Sequence, residues 1–232
     1  MTLNQSVYDL RGIIRNNRLA DDDRLDDRLL KEWIHTNRAV WIRQESGKSA
    51  WQVPRQIIQS LGCVLLEVSD RSKCPVLLTT SGSILRTNRD LPKSIELKNR
   101  DGVIEVGPVD KIALPFSYVP VERARFFGHG KFNGTAICAF RYDNRIYLWA
   151  QLTNESFYKY IRYIGVDGIW EDPTEVANFS HIDGTACYSD DDEYPMNSWM
   201  WKYMRDEILK ANFELLMKAP TDKKNDADDQ TR

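Results

Sequence analysis

Few side chains in this chain are arranged to make or break bonds. It has three histidines, His35, His129 and His181. His181 has a carboxylate close by in sequence, Asp183, and a His/Asp pair can orient an imidazole for general-base work. Such a base needs a nucleophile to activate. No G-x-S-x-G elbow accompanies the pair, nor is there a phosphate-cradling G-x-x-x-x-G-K-[ST] or a zinc-binding H-E-x-x-H. The histidines therefore read more simply as surface or structural residues, with no catalytic residue assigned. An uncharacterised hydrolase centred on His181 and Asp183 is the less favoured alternative.

The four cysteines, Cys63, Cys74, Cys138 and Cys187, form no C-x-x-C pair and have no histidine at ligand spacing. They read as reduced thiols, and no metal or cofactor is expected. Two acidic runs, Asp21–Asp23 and Asp190–Glu193, lack the alternating oxygen ligands and turn glycine of a calcium loop. They read instead as carboxylates at helix starts, where the backbone dipole favours negative charge. Arg86, Arg89, Lys93, Arg123, Arg125 and Lys131 fall in expected loops or short elements and are interleaved with Phe126 and Phe127. That mixture can form a single-strand binding surface, line a pore through which DNA passes, or simply be solvated. A nucleic-acid-binding protein using these loops is the second alternative function. With 32 basic and 34 acidic residues among 232, the net charge of -2 argues against a protein whose main task is to wrap nucleic acid.

The elements that carry these residues divide the chain into a helical part, a β-rich part and a return to helix. Hydrophobic residues make up 42% and charged residues 28%, an ordinary balance for a globular domain. No apolar run approaches membrane-spanning length and Met1–Leu10 has no leader character, so neither a membrane nor secretion is expected. Thr2 and Gln5 have capping-box spacing at the start of a first helix, in which Leu3, Val7, Leu10 and Ile14 recur on one face. A second helix places Leu29, Leu30, Trp33, Ile34, Val40 and Trp41 along one side. Arg28, Lys31, Glu32, Arg38 and Arg43 are then free to face water.

Short strands are expected over Cys63–Val68, Pro75–Thr79, Ser94–Leu97, Thr135–Tyr142, Arg145–Ala150 and Tyr160–Val166. Asp143-Asn144 should form a type I′ hairpin turn. A short helix is expected over Pro120–Phe127, followed by a loop at Gly128–Gly130. Tyr194-Pro195 should open the last helix, with proline at its first position. Met196, Trp199, Met200, Tyr203, Met204, Ile208 and Leu215 give that helix an apolar stripe up to about Lys218. Leu29, Trp33 and Ile34 are expected to pack against Trp199, Tyr203 and Met204. Thr221–Arg232 has no apolar residue larger than alanine and should be disordered in isolation.

The fold class is therefore α+β. Residues 1–60 and 186–218 form a helical domain, 61–185 a β-rich insert and 219–232 a polar tail.

Both ends resemble a known family. Val7-Tyr8-Asp9-Leu10, then Asp22-Asp23, then the run from Leu30 through Trp33, Arg38 and Trp41 to Gln44, is similar to the N-terminal region of the ring (head–tail connector) proteins of crAss-like phages. Tyr194-Pro195-Met196 with its long helix, and then Ala219-Pro220-Thr221-Asp222 and Asn225-Asp226, is similar to their C-terminal ending. Podoviral portal-adaptor proteins share the same organisation.

The resemblance implies a non-enzymatic structural subunit, a dodecameric ring stacked beneath the portal protein. Other ring or tail proteins would be neighbours, and DNA would pass through the lumen without sequence-specific binding. It also implies a protein of the virion's portal vertex, assembled in the host cytoplasm. The tail would be the docking element, through Asp222, Lys223, Lys224, Asn225, Asp226, Asp228 and Asp229.

Overall fold

The computed structural model describes residues 1–14, 26–48, 50–70, 83–98, 100–110, 113–127, 136–150 and 160–217. Several expectations fall outside them: the Asp21–Asp23 run, Cys74, the Pro75–Thr79 strand, the Gly128–Gly130 loop with His129, Lys131, and the whole polar tail. The architecture is α+β, a helical layer beside a curled mixed sheet.

Helix α1 spans Leu3–Ile14. The capping box forms as its spacing predicts: the Thr2 amide donates to Gln5 Oε1 (2.9 Å) and the Gln5 amide to Thr2 Oγ1 (3.2 Å). Helix α2 spans Asp27–Ser46, and the side chain of Asp26 caps it by accepting from the Arg28 amide. The four-residue helix α3, Val121–Ala124, occupies the centre of the expected short helix. Helix α4 runs over Ser198–Met217.

The helical core joins Leu3, Val7 and Leu10 of α1 to Leu30, Ile34 and Ile42 of α2 and to Met200, Met204 and Ile208 of α4. Residues spaced three and four apart thus meet on one side of each helix.

Three details differ from the sequence reading. Arg38, expected in water, is completely buried, while Val40, expected on the apolar side, is 48% exposed. Pro195 does not open α4, because the chain is first pinned to the start of α1. Tyr194 donates its amide to the Met1 carbonyl (3.0 Å), its ring is buried, and Glu193 bridges Thr2. Trp33 is only half-buried, and Trp199 and Tyr203 stand 51% and 58% exposed, so of the expected α2–α4 contacts Ile34 and Met204 carry the buried part.

The strands are β1 (Gln59–Ser60), β2 (Val64–Asp70), β3 (Ser83–Thr87), β4 (Val103–Gly107), β5 (Ser117–Tyr118), β6 (Cys138–Tyr142), β7 (Arg145–Trp149) and β8 (Tyr163–Gly168). The order is β1-β8-β2-β3-β7-β6-β5, and β4 also pairs with β8. β1 and β2 lie in succession along β8, and the chain bends between them at Gly62. Its φ is +60°, and any Cβ there would stand 2.7 Å from the Ser180 carbonyl oxygen.

At the other end of the sheet, the Phe116 amide donates to the Val106 carbonyl (2.8 Å), bringing β5 up to β4. The hairpin β6–β7 turns on Asp143 (φ 49°) and Asn144 (φ 58°), the left-handed pair a type I′ turn needs. Ser94–Leu97 forms single bridges, Ser94 to Trp170 and Leu97 to Arg100, instead of a strand. The Ser94 hydroxyl there is held by Asp101 and Arg141, which keeps the segment folded back on itself.

The sheet core lies inside the curl, with Val64, Leu66, Val106, Ile146, Leu148, Ile164 and Trp170 fully or almost fully buried. On β6 and β7 alternation sends the neighbouring residues Cys138, Phe140, Tyr147 and Trp149 to the other side of the sheet, where they are buried with Ile84, Ala124 and Phe127.

Candidate functional site

His35 on α2 is the most enclosed histidine among the described residues. Its Nδ1 is 2.8 Å from the Tyr194 hydroxyl and its Nε2 is 3.7 Å from Asp172 Oδ1. Burial holds its pKa below the usual histidine value. Arg38 and Lys31 push the same way, while Asp172 and Asp190 oppose them.

His35 lines a groove of about 970 Å³ between the outer side of α2 and the 93–101 segment. Most charges around this groove pair with one another: Arg43 with Glu96 (3.5 Å), Lys93 with Glu171 (3.5 Å) and Arg141 with Asp101 (3.4 Å). Such pairing leaves little charge to capture a small polar ligand, and of the two hydroxyls that line the groove, Thr36 and Ser94, the Ser94 hydroxyl is held by Asp101 and Arg141.

His181 and Asp183 share an exposed turn closed by the Ser180–Ala186 bridge and by the His181 amide donating to the Thr185 carbonyl (2.8 Å). Asp183 Oδ1 accepts from both the Thr185 amide (2.9 Å) and its hydroxyl (2.7 Å). These bonds hold the Asp183 pKa below the usual carboxylate value, with the Thr185 hydroxyl the largest cause. The carboxylate is therefore a turn former and is not aimed at an imidazole.

Burial pushes the thiol of Cys138 up to about 12 and that of Cys187 up to about 11, and it raises Cys63 as well. All three stay protonated at neutral pH, the opposite of what a nucleophilic cysteine requires. No group of three or more potential metal ligands occurs among the described residues.

Asp190–Glu193 lies in the loop ahead of α4, where Asp190 pairs with Lys31 (3.4 Å) and Asp192 accepts from the Ser189 amide (2.7 Å). It is not a helix start, contrary to the sequence reading.

The basic residues singled out in the sequence do not converge. Arg86 pairs with Glu67 (2.7 Å). Arg89 donates to the Asn178 carbonyl (2.7 Å) and lies 3.9 Å over the Phe179 ring. Arg123 is exposed on α3, and Arg125 stacks on Phe126 at 4.9 Å, but Phe127 turns inward and is buried beside Ala124. The interleaved aromatic–basic platform is thus reduced to one Arg–Phe pair among the described residues.

The structure has more to offer in exposed apolar surface. Trp41 and Trp199 meet edge to face with ring centroids 5.0 Å apart, and Trp199 meets Tyr203 the same way at 6.4 Å. This ladder runs along the outside of the α2–α4 seam. On the sheet, Leu65 and Tyr163 stand directly opposite each other on β2 and β8, 40% and 50% exposed. The pair next to them, Val64 and Ile164, is fully buried, so alternation sends Leu65 and Tyr163 to the outside.

The sequence did contain a signal for the seam. Apolar residues at 199, 200, 201, 203 and 204 span more of the helix circumference than one buried face can use. Surplus apolar faces of this kind are how a protein that assembles differs from one that does not.

No helix among the described residues is long and apolar enough to cross a membrane. Among curated proteins, none matches the chain. A family model described as phage tail ring protein 2 matches residues 5–231, nearly the whole sequence and well beyond the two ends that carry the resemblance. The chain belongs to that family of crAss-like phage ring proteins and is a structural ring component of a bacteriophage tail assembly.

Proposed function

We propose that this ring is a head–tail connector, stacked beneath the portal and forming part of the conduit through which DNA leaves the capsid. The family match over residues 5–231 carries the reading. Two features support it. The net charge of -2 suits a conduit, since a strongly positive lumen would hold DNA by counterion release and slow its passage. The groove and His35 are also built from internally paired groups, as in a subunit whose work is contact and not turnover. The ring is dodecameric in this reading, a virion component that assembles in the host cytoplasm. Residues 1–60 and 186–218 form the connector body, and 61–185 the insert that meets a neighbouring ring or tail protein.

The polar tail, residues 219–232, fastens the ring to the portal in this proposal. Asp222, Asp226, Asp228 and Asp229 alternate with Lys223, Lys224 and Asn225, giving a partner both signs of charge. A segment that orders on binding has modest affinity per copy, which a ring multiplies by avidity.

Two experiments test these statements. Imaging of a portal-bound complex should show this chain as a ring on the capsid-exit side. Phage made without it should fail to join heads to tails, and normal infectious particles in that experiment would overturn the connector role. Stopping the chain after Lys218 should leave secondary structure and melting unchanged but weaken portal binding. Equal binding by the truncated and full-length chains would remove the tail's role and leave the ring's intact.

A further inference from the structure

We propose that the aromatic seam of α2 and α4 in one subunit packs against the outward face of the β2–β8 pair in the next copy around the ring. The inference rests on the ring reading and adds the surfaces that build it. A ring of identical chains closes by a head-to-tail contact in which one patch of each subunit meets an unlike patch of its neighbour. A patch that is complementary to itself instead makes a two-fold dimer and stops. A ring subunit therefore needs two different adhesive surfaces.

Two grouped apolar surfaces stand out among the described residues. One is the seam, Trp199 (51% exposed) and Tyr203 (58% exposed) with half-buried Trp41. The other is the cross-strand pair Leu65 and Tyr163, with Tyr160 three residues before Tyr163 and 83% exposed. Other exposed apolar side chains, such as Tyr8, Leu114 and Ile182, are not grouped in this way.

Each surface is prepared for contact. The Trp41–Trp199–Tyr203 ladder fixes its rings edge to face before any partner arrives, so docking immobilises little that was free. Large aromatic residues held like this are the type that dominates binding energy at interfaces. Leu65 and Tyr163 are held by main-chain pairing on adjacent strands, which presents them on a rigid plane.

Polar residues flank both surfaces with both signs of charge. Lys202 and Asp206 lie beside the seam on α4, and Arg162 beside the sheet pair, where Glu67 is already engaged by Arg86 and Arg145. A seam-to-sheet contact can therefore match Asp206 with Arg162, and a polar rim around an apolar centre is the usual build of a specific interface. The buried side of α4 is filled by Met200, Trp201, Met204 and Ile208, so the helical core does not depend on Trp199 or Tyr203.

A photo-crosslinking amino acid placed at Tyr203 of the full-length chain, in assembled phage particles, tests the contact. Illumination should join two copies of the chain, with the partner peptide containing Leu65, Tyr160 or Tyr163. A crosslink to the α4 helix of the second copy, to a different protein, or to no second copy in particles that hold several would overturn the proposal. Particles that hold only a single copy would instead overturn the ring reading beneath it.

A pair of surface variants gives an independent readout. Trp199→Glu with Tyr203→Glu, and Leu65→Glu with Tyr163→Glu, should each keep wild-type secondary structure and melt at a modestly lower temperature, because the replaced side chains are half-exposed and the buried cores are untouched. Each should nevertheless lower ring incorporation into particles by at least about tenfold. Mixed together, the two variants retain one intact seam and one intact sheet face, and should form heterodimers that grow no further. Wild-type incorporation by either variant alone would sink the idea.

Discussion

Replacing Arg38 with methionine keeps an unbranched apolar stem, shortens the side chain and removes every donor. Arg38 is completely buried on α2, and its guanidinium serves three distant segments. Nε donates to the Pro195 carbonyl (2.8 Å), Nη1 to Trp170 (2.8 Å) and Nη2 to Ile57 (3.4 Å). The Tyr194 ring lies 5.7 Å away and adds a cation–π contact.

A hydrogen bond from a charged donor contributes about 1.5–3 kcal/mol, so the two short bonds give roughly 3–6 kcal/mol and the longer one adds little. Part of this is offset, because a buried ion carries a desolvation penalty of several kcal/mol that methionine escapes. The net loss expected is about 2–4 kcal/mol. In a chain of this size that lowers the melting temperature by roughly 5–15 °C.

Urea and thermal unfolding followed by circular dichroism would measure it, with Arg38→Lys as the second arm. Lysine keeps the charge but lacks the planar fork that reaches separate carbonyls, so it should recover little. Stability equal to wild type in Arg38→Met would show that the buried charge costs about as much as its bonds return, and the reasoning would be wrong. Full recovery by lysine would refute the role of the fork.

Three further outcomes follow from the same packing. Because burial holds the His35 pKa below its unfolded value of 6.5, the unfolded chain binds more protons just below that pH. The stability tied to His35 is therefore present above about pH 6.5 and lost as the pH falls through and below it; His35→Gln should flatten the change in melting temperature between about pH 7.5 and 5.5. Trp33→Ala should cost about 1.5–3 kcal/mol in urea titration, below the roughly 3–5 kcal/mol of a fully buried tryptophan, because the side chain is only partly buried against the helical core. Asn144→Ala should cost about 1 kcal/mol, because alanine lacks the short polar side chain that lets asparagine hold the left-handed turn, whereas Asn144→Gly should unfold close to wild type.

What the sequence makes legible here is what neighbouring residues decide among themselves. The capping box of Thr2 and Gln5, the Asp143-Asn144 hairpin and the apolar stripe of α1 each depend on side chains a few positions apart, and each appears as read, whereas the α2 stripe keeps Leu30 and Ile34 but not Val40. Arg38 was not legible, because its acceptors at Ile57, Trp170 and Pro195 come together only in the finished fold. A charged residue in an amphipathic helix defaults to water until such acceptors exist. The start of α4 was misread for a similar reason. The local preference of proline for a helix's first turn loses to the buried Tyr194, which ties that stretch to Met1.

The candidate site divides the same way. The absence of catalytic spacing was plain, but periodicity assigned Trp199 and Tyr203 to the core. It counts apolar residues without counting how many a single buried face can hold. The two-ended resemblance pointed to the right family because its residues lie mostly on α1, α2 and the approach to α4, which form one packed layer.

The hydrogen bond from Phe116 to Val106, which brings β5 up to β4, has a bearing on life at high concentration. A long free strand margin recruits any extended chain through its main-chain amides and carbonyls, with little regard for side chains. Curling the sheet until its ends meet withdraws most of that margin. Copies crowded together before assembly then have few routes to indiscriminate main-chain pairing, and stacking into cross-β fibres is disfavoured. Recognition between copies is left to side chains, where a point mutation can change it. Growth that stops at a closed circle and growth that runs on into an aggregate are in this way kept apart by the sheet.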